Sequence, residues 1–407
     1  GKTFNYFLLF MIIVHAVVSW NSFVKDLQIG KRYLFVFVVY FVYISLQTLF
    51  ITWNPTWDDK TYYGIFEDLL LNFILVPVYV VSLKECLTPR LLARFLLLFC
   101  TGCLLLNLYI VYDLVGKGLF LDTSSAIDFL YTNRFGENKL ALLGGNLYLE
   151  PQTLYIALAA LITYFLIFVY KHKLFRIFLV LMFLLFTVFL SFTVTKAGIL
   201  AFILGFIIIN FYIFKRCSLR TRWVILVGLV SLVPVFGIFV SDGLQEKYEE
   251  RTEEIVREVE NVKQGIYAGG TIAPRIGFIR ESFIHIDEFG VWGLGVYAKS
   301  RVNNWLQSSE AGLSAFTNVH NSFIHYWIQG GILGLLMIVF LFCAPFYQML
   351  KKRRICWLIC ALTVIIFVMN NTCILLALNN SRLMILLLLA MFYFHGGVFR
   401  RLEREER

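Results

Sequence analysis

The chain has 407 residues, 59% hydrophobic and 15% charged, with a mean hydropathy of +0.77. Soluble globular proteins run at roughly 45–50% apolar and about 25% charged, so this composition excludes a soluble enzyme, a disordered protein and a nucleic-acid-binding domain. The net charge of +10, from 36 Lys+Arg against 26 Asp+Glu, sits in short basic clusters between apolar runs, which marks membrane topology and not affinity for nucleic acid.

Lipid offers backbone groups no partner but each other, and a bilayer core takes about 20 apolar residues per helix. The chain therefore reads as an all-α polytopic membrane protein. Eleven spans are predicted near residues 4–20, 33–52, 68–83, 91–112, 153–170, 177–195, 197–214, 223–240, 322–346, 355–378 and 383–399. Basic clusters at Lys25/Lys31/Arg32, Lys84/Arg90, Lys171/Lys173/Arg176, Lys215/Arg216/Arg220/Arg222, Lys351/Lys352/Arg353/Arg354 and Arg400/Arg401 fall on alternate linkers. All of these can be cytoplasmic at once. The other linkers are acidic or mixed and face outward. Trp20, Trp53, Trp57, Trp223, Trp327 and Trp357 lie near predicted span ends, where an amphipathic ring prefers the interface. Eleven spans put residue 1 outside, and the chain opens Gly-Lys; either one span ahead of residue 1 has been removed, which is the favoured expectation, or Gly1 truly faces out.

Three organisational parts follow. Residues 1–240 carry the first eight spans with two shorter outer loops, about 53–67 and 113–152. Residues 241–320 form a large outer loop. Residues 321–407 hold the last three spans and a basic cytoplasmic tail. Within the large loop, apolar residues recur at helical spacing from Leu244 to Val262 on an otherwise charged segment, predicting an amphipathic helix. Gly269-Gly270 breaks it. A second helix starts after Pro274 and carries Arg275, Phe278, Ile279, Arg280, Phe283 and Ile284, with proline suited to a first turn. Gly290 to Asn318 reads as irregular.

None of the eight cysteines lies in a long polar loop, so no disulfide framework is expected. Cys100-Thr-Gly-Cys103 has redox spacing but sits inside an apolar run, where small residues pack a membrane helix.

Candidate chemistry gathers on the outer face. Asp58 and Asp59 can hold a divalent metal or simply solvate a loop; adjacent residues point apart and no third ligand is suggested. Arg134, in Thr132-Asn-Arg-Phe-Gly136 before the fifth span, can contact a lipid phosphate or anchor a helix end. Lys196 lies in a linker so short that it must sit at the membrane surface or slightly inside it. Ionisable groups at that depth are costly and are functional or paired, or they snorkel. Arg275 opens a predicted helix, whose N-terminus attracts anions and where a guanidinium adds a two-point phosphate donor; a surface salt bridge to Glu281 or Asp287 is the alternative. His320, followed by Asn321 at the start of the ninth span, meets the positive end of a helix dipole. That end disfavours imidazolium, and a neutral imidazole is what a general base needs. His15 lies inside a span and His172 in a basic cluster, while His285, His325 and His395 read as having no polar neighbourhood of note. Two or three cations and one histidine at a membrane surface suit a lipid-linked phosphate ester.

At these residues the chain resembles the O-antigen ligase family and its relatives, the O-antigen polymerases and pilin oligosaccharyltransferases. The resemblance is carried by Thr193-Val-Thr-Lys196-Ala-Gly, Ala273-Pro-Arg275-Ile-Gly-Phe-Ile, Gly290-Val-Trp-Gly-Leu-Gly295 and the block from Val319-His320-Asn321 to Gly330-Gly-Ile-Leu-Gly334. It implies a C-type glycosyltransferase-like bundle of about 11–12 transmembrane helices in the bacterial inner membrane, with a periplasmic active site in and beside the large loop. The implied reaction moves O-antigen glycan from undecaprenyl diphosphate to a hydroxyl of the lipid A-core oligosaccharide, in surrounding membrane lipid. It is metal-independent, cofactor-free and inverting. His320 is then the general base, Arg275 and Lys196 hold the diphosphate, and Arg134, Asn321 and Arg280 bind substrate. The family usually has arginine where this chain has Lys196, which keeps the charge but loses the planar two-point grip. A polymerase using a second lipid-linked glycan as acceptor shares the same chemistry. A transporter or flippase of lipid-linked glycan would instead show mid-membrane charges and inverted repeats, and neither is read here.

Overall fold

The computed structural model describes residues 2–50, 69–83, 86–116, 118, 149–193, 195–216, 242–270, 272–353 and 355–404. Among these residues there are helices and their connections and no strand. The protein is an all-α polytopic membrane protein. Seven described helices are long and apolar enough to cross a membrane, and three shorter apolar helices, Leu9–Val18, Asn72–Ser82 and Trp357–Thr372, accompany them. Ten of the predicted spans fall on described helices; the eighth, 223–240, lies outside the described residues, as do Asp58, Asp59 and Arg134.

The chain divides into two compact units. The first comprises Gly1–Thr88, Ile255–Arg354 and Asn370–Val398. It opens with α1 (Lys2–Val18) and α2 (Trp20–Phe50), followed by π-helical turns at Leu69–Leu75 that run into α3 (Val76–Ser82). The second comprises Pro89–Glu254, Ile355–Met369 and Phe399–Arg407. It holds α4 (Pro89–Gly116), α5 (Leu149–Val169), α6 (Lys173–Phe192) and α7 (Lys196–Arg216). Helix α8 (Asp242–Lys263) runs from the second unit into the first, which then continues with α9 (Ala273–Ile284), the short α10 (Ile286–Phe289), α11 (Ala298–Ser308) and α12 (Ser322–Lys351). Helix α13 (Trp357–Thr372) lies in the second unit up to Met369, and α14 (Asn379–Arg404) returns through the first to end in the second.

The predicted basic linker Lys25/Lys31/Arg32 is not a linker. It lies inside α2, because the chain turns at Ser19 and then runs as one helix of 31 residues. Lys and Arg are good helix formers, so charge moves a segment toward water without ending its helix. Asp26 of this segment is buried and faces His15 of α1 at 3.4 Å. The predicted tenth span also ends early. Helix α13 stops at Thr372, and residues 373–378 form a connector with a single 3₁₀ turn at Leu375–Ala377.

The core of the first unit within the spans is aromatic. Tyr33 of α2 packs on Tyr393 and Phe394 of α14 and on Phe340 of α12, with ring centroids 4.6–5.5 Å apart. Phe37 and Phe73 extend it, and Tyr326 closes on Phe73 at 5.7 Å. Such tilted and edge-on pairs are each worth about 0.5–1.5 kcal/mol beyond their burial. In the second unit α5 is mostly buried and is apolar all round, as a helix surrounded by others must be. Its Tyr164 donates to Asn210 of α7 at 2.7 Å. Gly198 lets α7 approach α5, since a Cβ there would stand 2.0 Å from the Thr153 methyl. The N-terminus of α13 is capped from the chain's far end: Glu403 is 2% exposed and accepts from the Leu358 N–H at 2.8 Å and from the Cys356 thiol at 3.2 Å. The described cysteines are free thiols, and Cys100 and Cys103 are buried along α4.

Both predicted loop helices are present as α8 and α9. The stretch expected to be irregular is not: α11 lies within Gly290–Asn318. Ala298, Val302, Trp305 and Leu306 are buried on one of its faces and join Phe278, Phe289, Leu313, Val319 and Ile328 in a separate core cluster. That spacing is helical, but the intervening Asn-Asn and flanking Ser and Gly residues hid it.

Two glycine-rich segments dock on each other. Helix α12 breaks at Gly330-Gly331, where Gly331 has φ 56° and ψ −145°. The freed backbone groups are taken up by the 291–294 segment: the Leu294 N–H donates to the Ile328 carbonyl at 2.8 Å and the Ile332 N–H to the Val291 carbonyl at 3.0 Å. A Cβ on Gly331 would lie 2.1 Å from the Val291 oxygen, and one on Gly293 would lie 2.3 Å from the Gly331 nitrogen. Gly331→Ala combines backbone strain with this clash. It is expected to destabilise the protein by about 1–3 kcal/mol or more, visible as a lower melting temperature and lower yield in the membrane fraction.

Candidate active site

Helix α12 begins with a side-chain cap. The Asn321 amide oxygen accepts from the N–H groups of Phe323 at 2.8 Å and Ile324 at 3.1 Å, which is the usual use of asparagine at a helix start. His320 therefore stands just outside the helix. Its φ is 43°, one of two positive values at described non-glycine residues. This conformation costs of order 1 kcal/mol and points to a constrained site. The Asn318 side chain helps hold it by accepting from the His320 N–H at 3.1 Å. The half-buried imidazole stacks on Phe278 at 5.5 Å with planes 19° apart, and Phe316 meets its edge at 5.8 Å.

Phe278 belongs to α9, three residues after Arg275, so the two share a face of that helix. The N-terminus of α9 is held from α8. The Glu258 carboxylate is 3% exposed and accepts from the Ala273 N–H at 2.8 Å and from the Ile272 N–H. Pro274 has no N–H to satisfy, so the acid meets the donors the proline leaves.

Arg275 and Asn321, the residue after His320, both reach the C-terminus of α13, within the first unit. The Arg275 Nε donates to the Thr372 carbonyl at 3.0 Å. The Asn321 amide donates to the neighbouring Asn371 carbonyl at 3.1 Å. Ser322 donates to the Asn370 side-chain oxygen at 2.8 Å and to the Cys373 carbonyl at 3.2 Å. The last carbonyls of a helix have no intrahelical donor, and a cation beside them is favourable. The end of α13 thus holds Arg275 on one peptide and the residue next to His320 on the adjacent one. The connector is tied in turn by Arg382, which is 5% exposed and donates to the Leu376 and Ala377 carbonyls, both at 2.7 Å.

Arg280 is placed elsewhere. Five residues beyond Arg275 it lies about 140° around the helix, exposed, with its guanidinium 5.6 Å from the Tyr267 ring and 3.5 Å from Glu281. Lys196 belongs to the second unit, where it is the first residue of α7. The junction before it is pinned by Thr195 and Thr153, whose hydroxyls are 3.3 Å apart. The Lys196 ammonium faces Glu254 of α8 at 3.4 Å, both side chains being about three-quarters buried. The carboxylate offsets the cost of a cation at a helix N-terminus.

Sequence reasoning did not single out Glu254, Glu258, Phe278 as a ring partner, or the Asn370-Asn371-Thr372 end of α13. Two adjacent amides interrupting an apolar run were the available signal for the last. Two histidines also have neighbours the sequence did not suggest. His285 lies 2.8 Å from Glu288 and stacks on Trp305 at 4.5 Å, and His395 lies 2.7 Å from the Val80 carbonyl oxygen. Among the described residues, no group of three or more His, Cys, Asp or Glu is arranged to hold a metal ion.

Residues 181–339 match the family model of the O-antigen ligase. This segment is an O-antigen ligase domain. It runs from within α6 into α12 and includes Lys196, Arg275, Arg280, His320 and Asn321, as well as both docked glycine segments; Arg134 precedes it. The family that this segment matches is a glycan-transferring one of ligase and polymerase type. No curated protein matches the chain.

Proposed function

We propose that the protein transfers glycan from undecaprenyl diphosphate to a hydroxyl of the lipid A-core at the periplasmic face of the bacterial inner membrane. His320 acts as the general base and Arg275 as a diphosphate ligand. The observation that supports this reading is the indirect link between the two residues: His320 rests on Phe278, one turn along α9 from Arg275, and adjacent carbonyls at the end of α13 hold Arg275 and Asn321.

In this reading the acceptor hydroxyl gives its proton to the imidazole as its oxygen attacks the anomeric carbon. The bond from that carbon to the diphosphate oxygen breaks on the opposite face, which inverts the configuration. Undecaprenyl diphosphate leaves with the bonding pair. A diphosphate is already a good leaving group, so two tasks remain. Holding donor and acceptor together lowers the entropic cost of their meeting, and a preplaced guanidinium stabilises the charge that develops on the leaving oxygen. The Thr372 carbonyl orients the Arg275 plane before substrate arrives, so little reorganisation is needed.

Purified protein, lipid-linked glycan and lipid A-core are expected to give glycosylated lipid A-core in the presence of a chelator. Product formed only on a second lipid-linked glycan would replace the ligase reading with the polymerase. Movement of intact donor across the bilayer with no transfer would replace both.

Lys196 is proposed as a second diphosphate ligand from its motif, and Arg134, Asn321 and Arg280 as substrate contacts. Lys196→Ala is expected to lower transfer by about 10²-fold, as loss of one charge-stabilising donor does, with Lys196→Arg retaining activity. Glu254→Gln removes one partner of a largely buried ion pair and is expected to lower stability by about 1–3 kcal/mol while transfer persists. An unchanged rate in Lys196→Ala would remove the residue from the mechanism.

A further inference from the structure

Helix α9 is buried on one side by the core cluster around Phe278 and bare on the other. At about 100° per residue, Ile276, Ile279, Phe283 and Ile284 fall on one arc, and Val291 and Trp292 follow in the next connection. These six residues are 40% to 69% exposed. An apolar face of this kind, outside the spanning helices, marks an interaction surface.

Its surroundings say what covers it. Tyr43 and Gln47, in the last turns of the spanning part of α2, both donate to the Trp292 carbonyl, Gln47 at 2.8 Å. Val42 and Leu46 of the same turns are about half exposed, as lipid-facing residues are. Phe283 meets the edge of Trp327 at 6.0 Å, and Trp327 lies in the second turn of α12 and donates to the Gly290 carbonyl at 2.9 Å. The middle of the bare face, through Phe283, and its Trp292 end are therefore tied to the ends of membrane helices in the same unit, and its apolar surface continues theirs. Arg275 borders the arc and Arg280 lies within it, which gives the face cations for lipid phosphates. Apolar residues with a terminal tryptophan and interspersed arginines are what an interfacial helix requires.

We infer that α9 lies in the plane of the bilayer interface, with Ile276, Ile279, Phe283 and Ile284 seated among the acyl chains of the leaflet that the ends of α2 and α12 reach. The partner is the phospholipid surface. This inference stands on the fold and does not depend on the proposed reaction. A consequence is that Arg275 sits at headgroup depth.

The test uses the intact protein in its native membrane. A p-benzoylphenylalanine photo-crosslinker is introduced separately at Ile279, at Phe283 and at Asn304, the last an exposed polar position on α11. Irradiation is expected to yield phospholipid adducts at 279 and 283 by mass spectrometry, with none above background at 304. Absence of lipid adducts at 279 and 283, or equal adducts at all three positions, overturns the inference. So does a crosslink of doubled mass at 279 or 283, which would assign the face to a second copy of the chain.

Discussion

Replacing His320 with alanine is expected to lower glycan transfer by about 10²–10⁴-fold, the range for loss of a positioned general base, while the protein still reaches the membrane at normal levels. The ring is half-buried and touches Phe278 and Phe316. Its removal forfeits ring contacts worth about 0.5–1.5 kcal/mol, which a folded membrane protein tolerates. The Asn321 cap and its bond to the Asn371 carbonyl involve no atom of the imidazole, so α12 should still start at the same residue. Transfer is measured with purified protein in detergent or nanodiscs, and folding by monodispersity and melting temperature. A folded His320→Ala protein that transfers at the normal rate would leave the base unassigned.

Arg275→Ala is expected to cost about 10²–10³-fold in transfer, the magnitude for removing one charge-stabilising donor. Arg275→Lys should recover part of the loss: the charge survives, but a lysine ammonium lacks the planar fork that lets one edge bond Thr372 while another faces phosphate. The two Arg275 variants separate electrostatics from orientation. If lysine restores full activity, charge alone suffices and the Thr372 contact is only structural. If alanine leaves transfer intact in a folded protein, the diphosphate is held elsewhere. Because His320 stacks on Phe278, one turn of α9 from Arg275, their effects should be less than additive in the double variant.

The two residues proposed for the reaction came to notice for local reasons. Arg275 follows a proline at a helix start, and His320 precedes an asparagine at another. Both helix starts are as read from the sequence, because capping and periodicity are properties of a few consecutive residues. Arg280 shows the limit of such reading. It shares a helix with Arg275, but the helical turn carries it to Tyr267 and Glu281 instead. Lys196 was expected to lie bare at the membrane surface or to be paired; its partner Glu254, 58 residues further on, has no local signature.

By itself, the sequence determined the helical class, the positions of ten spans now seen as helices, and the two loop helices α8 and α9. Apolar runs in lipid have no alternative to the helix, and amphipathic period is written in the chain. Only the tertiary structure decided that Arg275 and Asn321 would grasp neighbouring peptides at the end of α13, across separations of 97 and 50 residues. It also decided that one glycine segment would fill the break in the other. Such pairings arise where a helix end or a kink leaves backbone groups that must find donors or acceptors in space, and which segment supplies them is set by packing and not by any neighbour in the sequence.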